Sequence, residues 1–165
     1  DNNVGLECLA LLVVAGDQRF RTMVQDAMIS APVNTLGDPV RKEALVRTLR
    51  AMGGRRLPPY ISNARGGTHN DSQFILDQWK GPLEHARPRP LEAWSRTHLP
   101  VSTIEMARKF TWDSEWSNSV FMAQSQAVWR HPPQAYARVA NTLTGTRPEA
   151  CHYLERLWRY LFGEL

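Results

Sequence analysis

The sequence predicts an all-α protein, an irregular bundle of about six helices with a long Arg/Gly/Pro loop near residues 53–70. Three observations carry this. Apolar residues recur at three- and four-residue spacing in most segments, helix start and stop signals stand between those segments, and no Val/Ile-rich alternation is sustained enough to build a sheet. With 165 residues, 42% hydrophobic and 22% charged, the chain sits near globular averages, which excludes disordered, collagen-like and low-complexity classes.

Leu6–Ala15 is apolar on nearly all faces and ends at Gly16, so it reads as a central helix or, second, as a buried strand. As a strand leading into Gly16-Asp17 it would open an α/β unit, but no companion strands are found for it. Asp17 can cap a following helix whose Phe20, Met23, Val24, Ala27 and Met28 form a stripe, closed by Pro32. Asp38-Pro39 starts a third helix that runs to Met52, with Leu45, Val46, Leu49 and Met52 on one side and Gly53 beyond its end.

Paired glycines at 53–54 and 66–67 and Pro58-Pro59 mark residues 53–70 as a loop or hinge. It divides the chain into an N-terminal helical unit (1–52) and a C-terminal one (71–165), or is simply a loop within one domain. Beyond it, Asp71 or Ser72 starts a short helix carrying Phe74, Ile75 and Trp79, and Leu91, Trp94 and His98 mark another. Ser102–Glu105 forms a capping box, with Val101 and Met106 placed as a hydrophobic staple. Helical spacing continues to Phe110 and, after a break near 111–114, through Trp116, Val120, Ala123 and Ala127. Pro132-Pro133 stops that helix and opens the next, with Tyr136, Val139, Ala140 and Leu143 on one side and Gly145 past its end. Thr146–Glu149 is a second capping box. It starts the last helix, with Leu154, Leu157, Trp158 and Leu161 on one side and Glu155 and Arg159 one turn apart.

Cys8 and Cys151 are far apart and have no Cys or His companions, so they read as reduced, buried thiols, with neither a disulfide framework nor a zinc site. The run Leu6–Ala15 is far short of the ~20 residues a bilayer span needs, and no basic segment precedes it as in a signal peptide. A chain beginning with Asp1 suggests processing or excision from a longer one. The expected setting is an intracellular, reducing compartment, with an organelle or virion as further options.

Of the 20 Lys plus Arg, 17 are Arg and only Lys42, Lys80 and Lys109 are Lys. Coding bias accounts for that preference over the whole chain, but not for its placement. Residues 1–37 carry a net −2, whereas 38–70 carry 7 basic against 2 acidic residues, a net +5 that exceeds the chain total of +4. Between Glu43 and Asp71 there is no carboxylate. That window holds Arg47, Arg50, Arg55, Arg56 and Arg65 with Tyr60, a set suited to phosphates through planar guanidinium forks and to an unstacked base through the Tyr60 ring. The plainer reading is a solvated loop whose arginines pair with acids elsewhere in the fold. Zinc-finger, aromatic ribonucleoprotein, GXXG and Walker signatures are all lacking.

Six tryptophans are more than a core of this size requires. Trp112 and Trp129, and with them Trp94, are candidates for exposure until a partner covers them, and Tyr153, Arg156 and Tyr160 for a second contact face on the last helix. His69 with Asp71 is the one imidazole–carboxylate pair in a candidate loop, and capping by Asp71 competes with any acid/base or metal role. The expected protein is therefore a non-enzymatic helical subunit of a larger assembly, without cofactor or metal, contacting RNA phosphates or partner subunits through segment 41–65. A pure protein-interaction module without nucleic acid is the alternative, and a small hydrolase or transferase using His69 and Asp71 the outlier.

Overall fold

Six helices and three short strands make up the regular structure of the described residues, which are 4–19, 28–30, 59–62, 69–78, 81–113, 121–145 and 148–163 of a computed structural model. The helices are α1 (Val4–Gly16), α2 (Leu91–His98), α3 (Val101–Lys109), α4 (Ser125–Trp129), α5 (Pro133–Ala140) and α6 (Glu149–Phe162). The strands are β1 (Met28–Ser30), β2 (Tyr60–Ser62) and β3 (Phe121–Gln124). The protein is helix-rich, as the periodicity predicts.

Helix α6 is the centre. Its Leu154, Leu157, Trp158 and Leu161 are buried as predicted, but so are Ala150, Cys151, His152, Tyr153, Tyr160 and Phe162, so the helix is enclosed on most sides. Helix α1 lies along α5 and also touches α6, and its Cys8, Leu11, Leu12 and Ala15 enter the same hydrophobic core as the C-terminal helices. The described part of segment 1–52 thus shares that core. Both cysteines are free and buried. Asp17 Oδ1 accepts the Arg19 N–H at 2.8 Å, the bond expected of a helix cap. At the far end of α6, Arg130 Nη2 and His131 Nε2 lie 2.9 and 3.0 Å from the Leu161 carbonyl, supplying partners where the helix ladder runs out.

Three short strands accompany the helices. They form one antiparallel sheet of order β1-β3-β2, with Ala123 opposite both Ile29 and Tyr60. Met28 lies in β1, not at the end of a helical stripe, and Tyr60 lies in a strand within the predicted loop. Phe121 and Ala123 point inward from β3 at alternate positions, while helical spacing is recovered only from Ser125 onward. Short apolar runs satisfy both periods, and pairing with a neighbouring strand decides between them.

Residues 71–78 are not helical either, and the hydrogen bonds give the reason. A helix here would pair Leu76 N–H with the Ser72 carbonyl. Instead Leu76 N–H donates to Glu149 Oε1 at 2.8 Å, and the Ser72 carbonyl accepts Glu92 N–H at 3.0 Å. Asp71 therefore caps no helix; Phe74 N–H closes a turn on its carbonyl at 2.9 Å.

Neither capping box forms as predicted. Helix α3 begins one residue before Ser102, with Pro100 at its cap position and the Pro100 carbonyl accepting Thr103 and Ile104 N–H. Val101 is 73% exposed, so no staple closes over it. At α6 the Glu149 carboxylate is drawn away to other donors, and Thr146 lies outside the described residues. Pro133 opens α5 with Pro at the first turn, as expected.

Gly145 follows α5 with φ +79, in the left-handed region, and a β-carbon there would stand 2.4 Å from Glu84 Cδ. Gly145→Ala should cost about 1–2 kcal/mol from the backbone alone. Urea denaturation checks this; an unchanged midpoint would show that the turn tolerates a side chain.

Candidate functional site

The first turns of α6 and the irregular stretches 69–78 and 81–90 meet in a dense polar cluster. Glu149 is its hub and is fully buried. Its Oε1 accepts Leu76 N–H at 2.8 Å, Arg89 Nε at 3.2 Å and the Tyr153 hydroxyl at 2.9 Å, and its Oε2 accepts Ala86 N–H at 2.8 Å. His85 Nδ1 stands 3.5 Å from Oε2. Glu149 N–H itself donates to the Glu84 carbonyl at 2.8 Å. One carboxylate thus ties together two strands of irregular chain, at residues 76 and 86, and anchors both to the N-terminus of α6, whose dipole also favours negative charge.

Burial by itself would push the Glu149 carboxyl up, but the two backbone N–H donors, the Tyr153 hydroxyl and the Arg89 charge outweigh it and hold the group below the usual carboxylate range. Tyr153 is pushed up, first by burial and then by its bond to Glu149, so it remains a hydroxyl donor. Arg89 closes the cluster from outside with a 2.7 Å bond to Asp77, which raises its pKa further.

A second pair lies one to two turns along. Arg156 Nε donates to Asp71 Oδ2 at 3.1 Å, and its guanidinium carbon lies 3.5 Å from the centre of the Phe74 ring. Burial lowers the Arg156 pKa, partly offset by Asp71. His152 Nδ1 is 3.2 Å from Glu155 Oε2.

The predicted sites fare unevenly. Arg47, Arg50, Arg55, Arg56 and Arg65 lie outside the described residues. Tyr60 does not offer an open ring: it is half-buried in β2, with its centroid 5.3 Å from that of Phe121. Tyr153 and Tyr160 are buried rather than on a solvent face, and Arg156 is engaged by Asp71 and Phe74. Trp94 and Trp112 are buried, and Trp129 packs half-buried on the core, so none of the three waits in solvent for a partner. These side chains turn inward because α6 is covered on flanks that an amphipathic pattern leaves to water. His69 is exposed, whereas Asp71 is committed to Arg156, so the two are not joined as an acid/base pair.

Sequence reasoning missed the Glu149 hub. The capping-box signal marked that position, but nothing local indicates that its donors come from residues 76, 86 and 89. Chemically the hub is a saturated carboxylate, with each oxygen already accepting from buried donors. Among the described residues, no group of three or more His, Cys, Asp or Glu is placed to hold a metal ion, and no helix is long and apolar enough to cross a membrane. Comparison with protein-family models, with curated proteins and with solved structures finds no match.

Proposed function

We propose that this protein is a non-enzymatic, helix-rich subunit of a larger assembly that contacts RNA phosphates through its Arg-rich segment 41–65. The observation that carries the reading is the placement of charge: a net +5 over residues 38–70, with no carboxylate between Glu43 and Asp71. Asp71, the first carboxylate after that window, pairs with Arg156 at 3.1 Å. Glu149 is held by Arg89 and by the Leu76 and Ala86 N–H groups. The polar clusters of the described residues are likewise built as ties between segments, which suits a scaffold.

Salt-titrated binding of single-stranded RNA tests this. Arg55→Ala, Arg56→Ala and Arg65→Ala combined should leave Tm nearly unchanged and reduce the slope of log K against log salt by about 2, on the footing of ~0.7 per phosphate contact on a single strand. An unchanged affinity and slope in the triple variant would sink the reading and leave a protein-only contact for this segment.

A further inference from the structure

We propose that the loop arms 75–78 and 81–90 act together as a lid over the start of α6, hinged at their neck and latched by Glu149, and that this lid opens as one unit while the rest of the fold stays intact. The proposal does not depend on the RNA reading.

The neck is closed by the backbone. Leu91 N–H donates to the Phe74 carbonyl and Glu92 N–H to the Ser72 carbonyl, each at 3.0 Å, so the chain leaves and returns at one point, as in a compact surface loop of the Ω type. Phe74 holds that point on α6. Its ring meets Tyr153 edge-on, with centroids 6.0 Å apart, and the Arg156 guanidinium carbon lies 3.5 Å from its centre. Beyond the neck the two arms are braced against each other. Arg89 of the second arm bonds Asp77 Oδ1 at 2.7 Å and the Leu76 carbonyl at 3.4 Å in the first. Arms joined by the neck and by this brace move together.

The arms are fastened to α6 with little apolar burial. Ala86 is the one buried residue in them, whereas Ile75 is 42% exposed and Leu76 and Leu83 are half-buried. The firm attachments converge instead on residue 149. Its carboxylate takes Leu76 N–H from one arm and Ala86 N–H from the other, and its own N–H donates to the Glu84 carbonyl. A segment with few buried apolar contacts, whose amides share one acceptor, belongs to the low end of local stability. Helix α6, buried along most of its length, opens only with the whole fold. Opening the lid brings the Glu149 carboxylate and the Tyr153 hydroxyl, bonded to each other and buried beneath it, out to solvent.

Native-state hydrogen exchange of the protein in sub-denaturing urea tests this. The Leu76 and Ala86 amides are expected to share one opening free energy and one shallow urea dependence, both below those of the Leu157 amide inside α6. A common free energy and slope for all three would overturn the lid, as would unrelated values for Leu76 and Ala86. Val128→Ala trims a buried side chain of α4 and should speed Leu157 exchange about tenfold while leaving Leu76 and Ala86 unchanged, because Val128 stays packed when only the lid opens. Glu149→Gln should speed Leu76 and Ala86 about tenfold. Equal acceleration of all three amides in Val128→Ala, or wild-type rates for Leu76 and Ala86 in Glu149→Gln, would each contradict a latched lid.

Discussion

Glu149→Ala is expected to lower stability by about 3–5 kcal/mol, among the largest effects of any single change in this protein. The substitution does not merely delete a charge. It leaves Leu76 N–H, Ala86 N–H and the Tyr153 hydroxyl without their acceptor inside the fold, and it strands Arg89 beside a gap. For a chain of this length the loss corresponds to a Tm drop of roughly 10 °C, read by calorimetry. Glu149→Gln keeps the shape but turns an NH2 toward groups that are themselves donors, so it too should destabilise.

The pH dependence of the pair separates charge from packing. The carboxyl of Glu149 is held below its ordinary range in the folded protein, so the unfolded chain binds the proton first as pH falls. Its contribution is fully present above the ordinary glutamate value of about 4.3 and is lost as pH drops through the lower folded value. The Tm difference between wild type and Glu149→Gln should therefore shrink below about pH 4. A difference that stays constant from neutral pH into acid would mean that Glu149 acts through packing alone.

Trp158→Ala should cost about 3–5 kcal/mol, for an unrelated reason. The Trp158 ring is buried and lies parallel to Phe162, with centroids 5.5 Å apart and 6° between planes, and it meets Phe121 of β3 at 5.7 Å. Phe121 also packs on Phe162 and Tyr60, so this aromatic stack fastens the small sheet to α6. Removing the indole opens a cavity at that junction. Trp158→Phe should retain most of the stability, and a urea midpoint for Trp158→Ala within error of wild type would show that the stack is dispensable.

The helices were legible where a start signal and a long stripe coincide. Pro133 with Tyr136 and Val139, and Glu149 with Leu154, Leu157 and Trp158, needed only local chemistry to be placed. Leu91, Trp94 and Ser102–Glu105 lie in short helices for the same reason, although the cap of α3 fell to Pro100. Strands of three or four residues were not legible. Met28, Tyr60 and Phe121 carry side chains that suit either period, and what makes them strands is a ladder between positions far apart in sequence. Residues 71–78 show the same limit from the other side. Their composition permits a helix, and distant groups, Glu149 and the N–H of Glu92, take the bonds that a helix would have used.

For the candidate sites the division is sharper. The sequence by itself determined the helix-rich character, the buried reduced state expected of Cys8 and Cys151, and the concentration of positive charge in residues 38–70, because periodicity, spacing and charge counts are properties of the chain alone. Only the tertiary structure decided that Tyr153, Arg156 and Tyr160 turn inward, that Asp71 belongs to Arg156 rather than to His69, and that Glu149 joins residues 76, 86 and 89. Burial and hydrogen-bond partnership depend on which surfaces cover a side chain, and those surfaces come from segments tens of residues away, which local pattern cannot name.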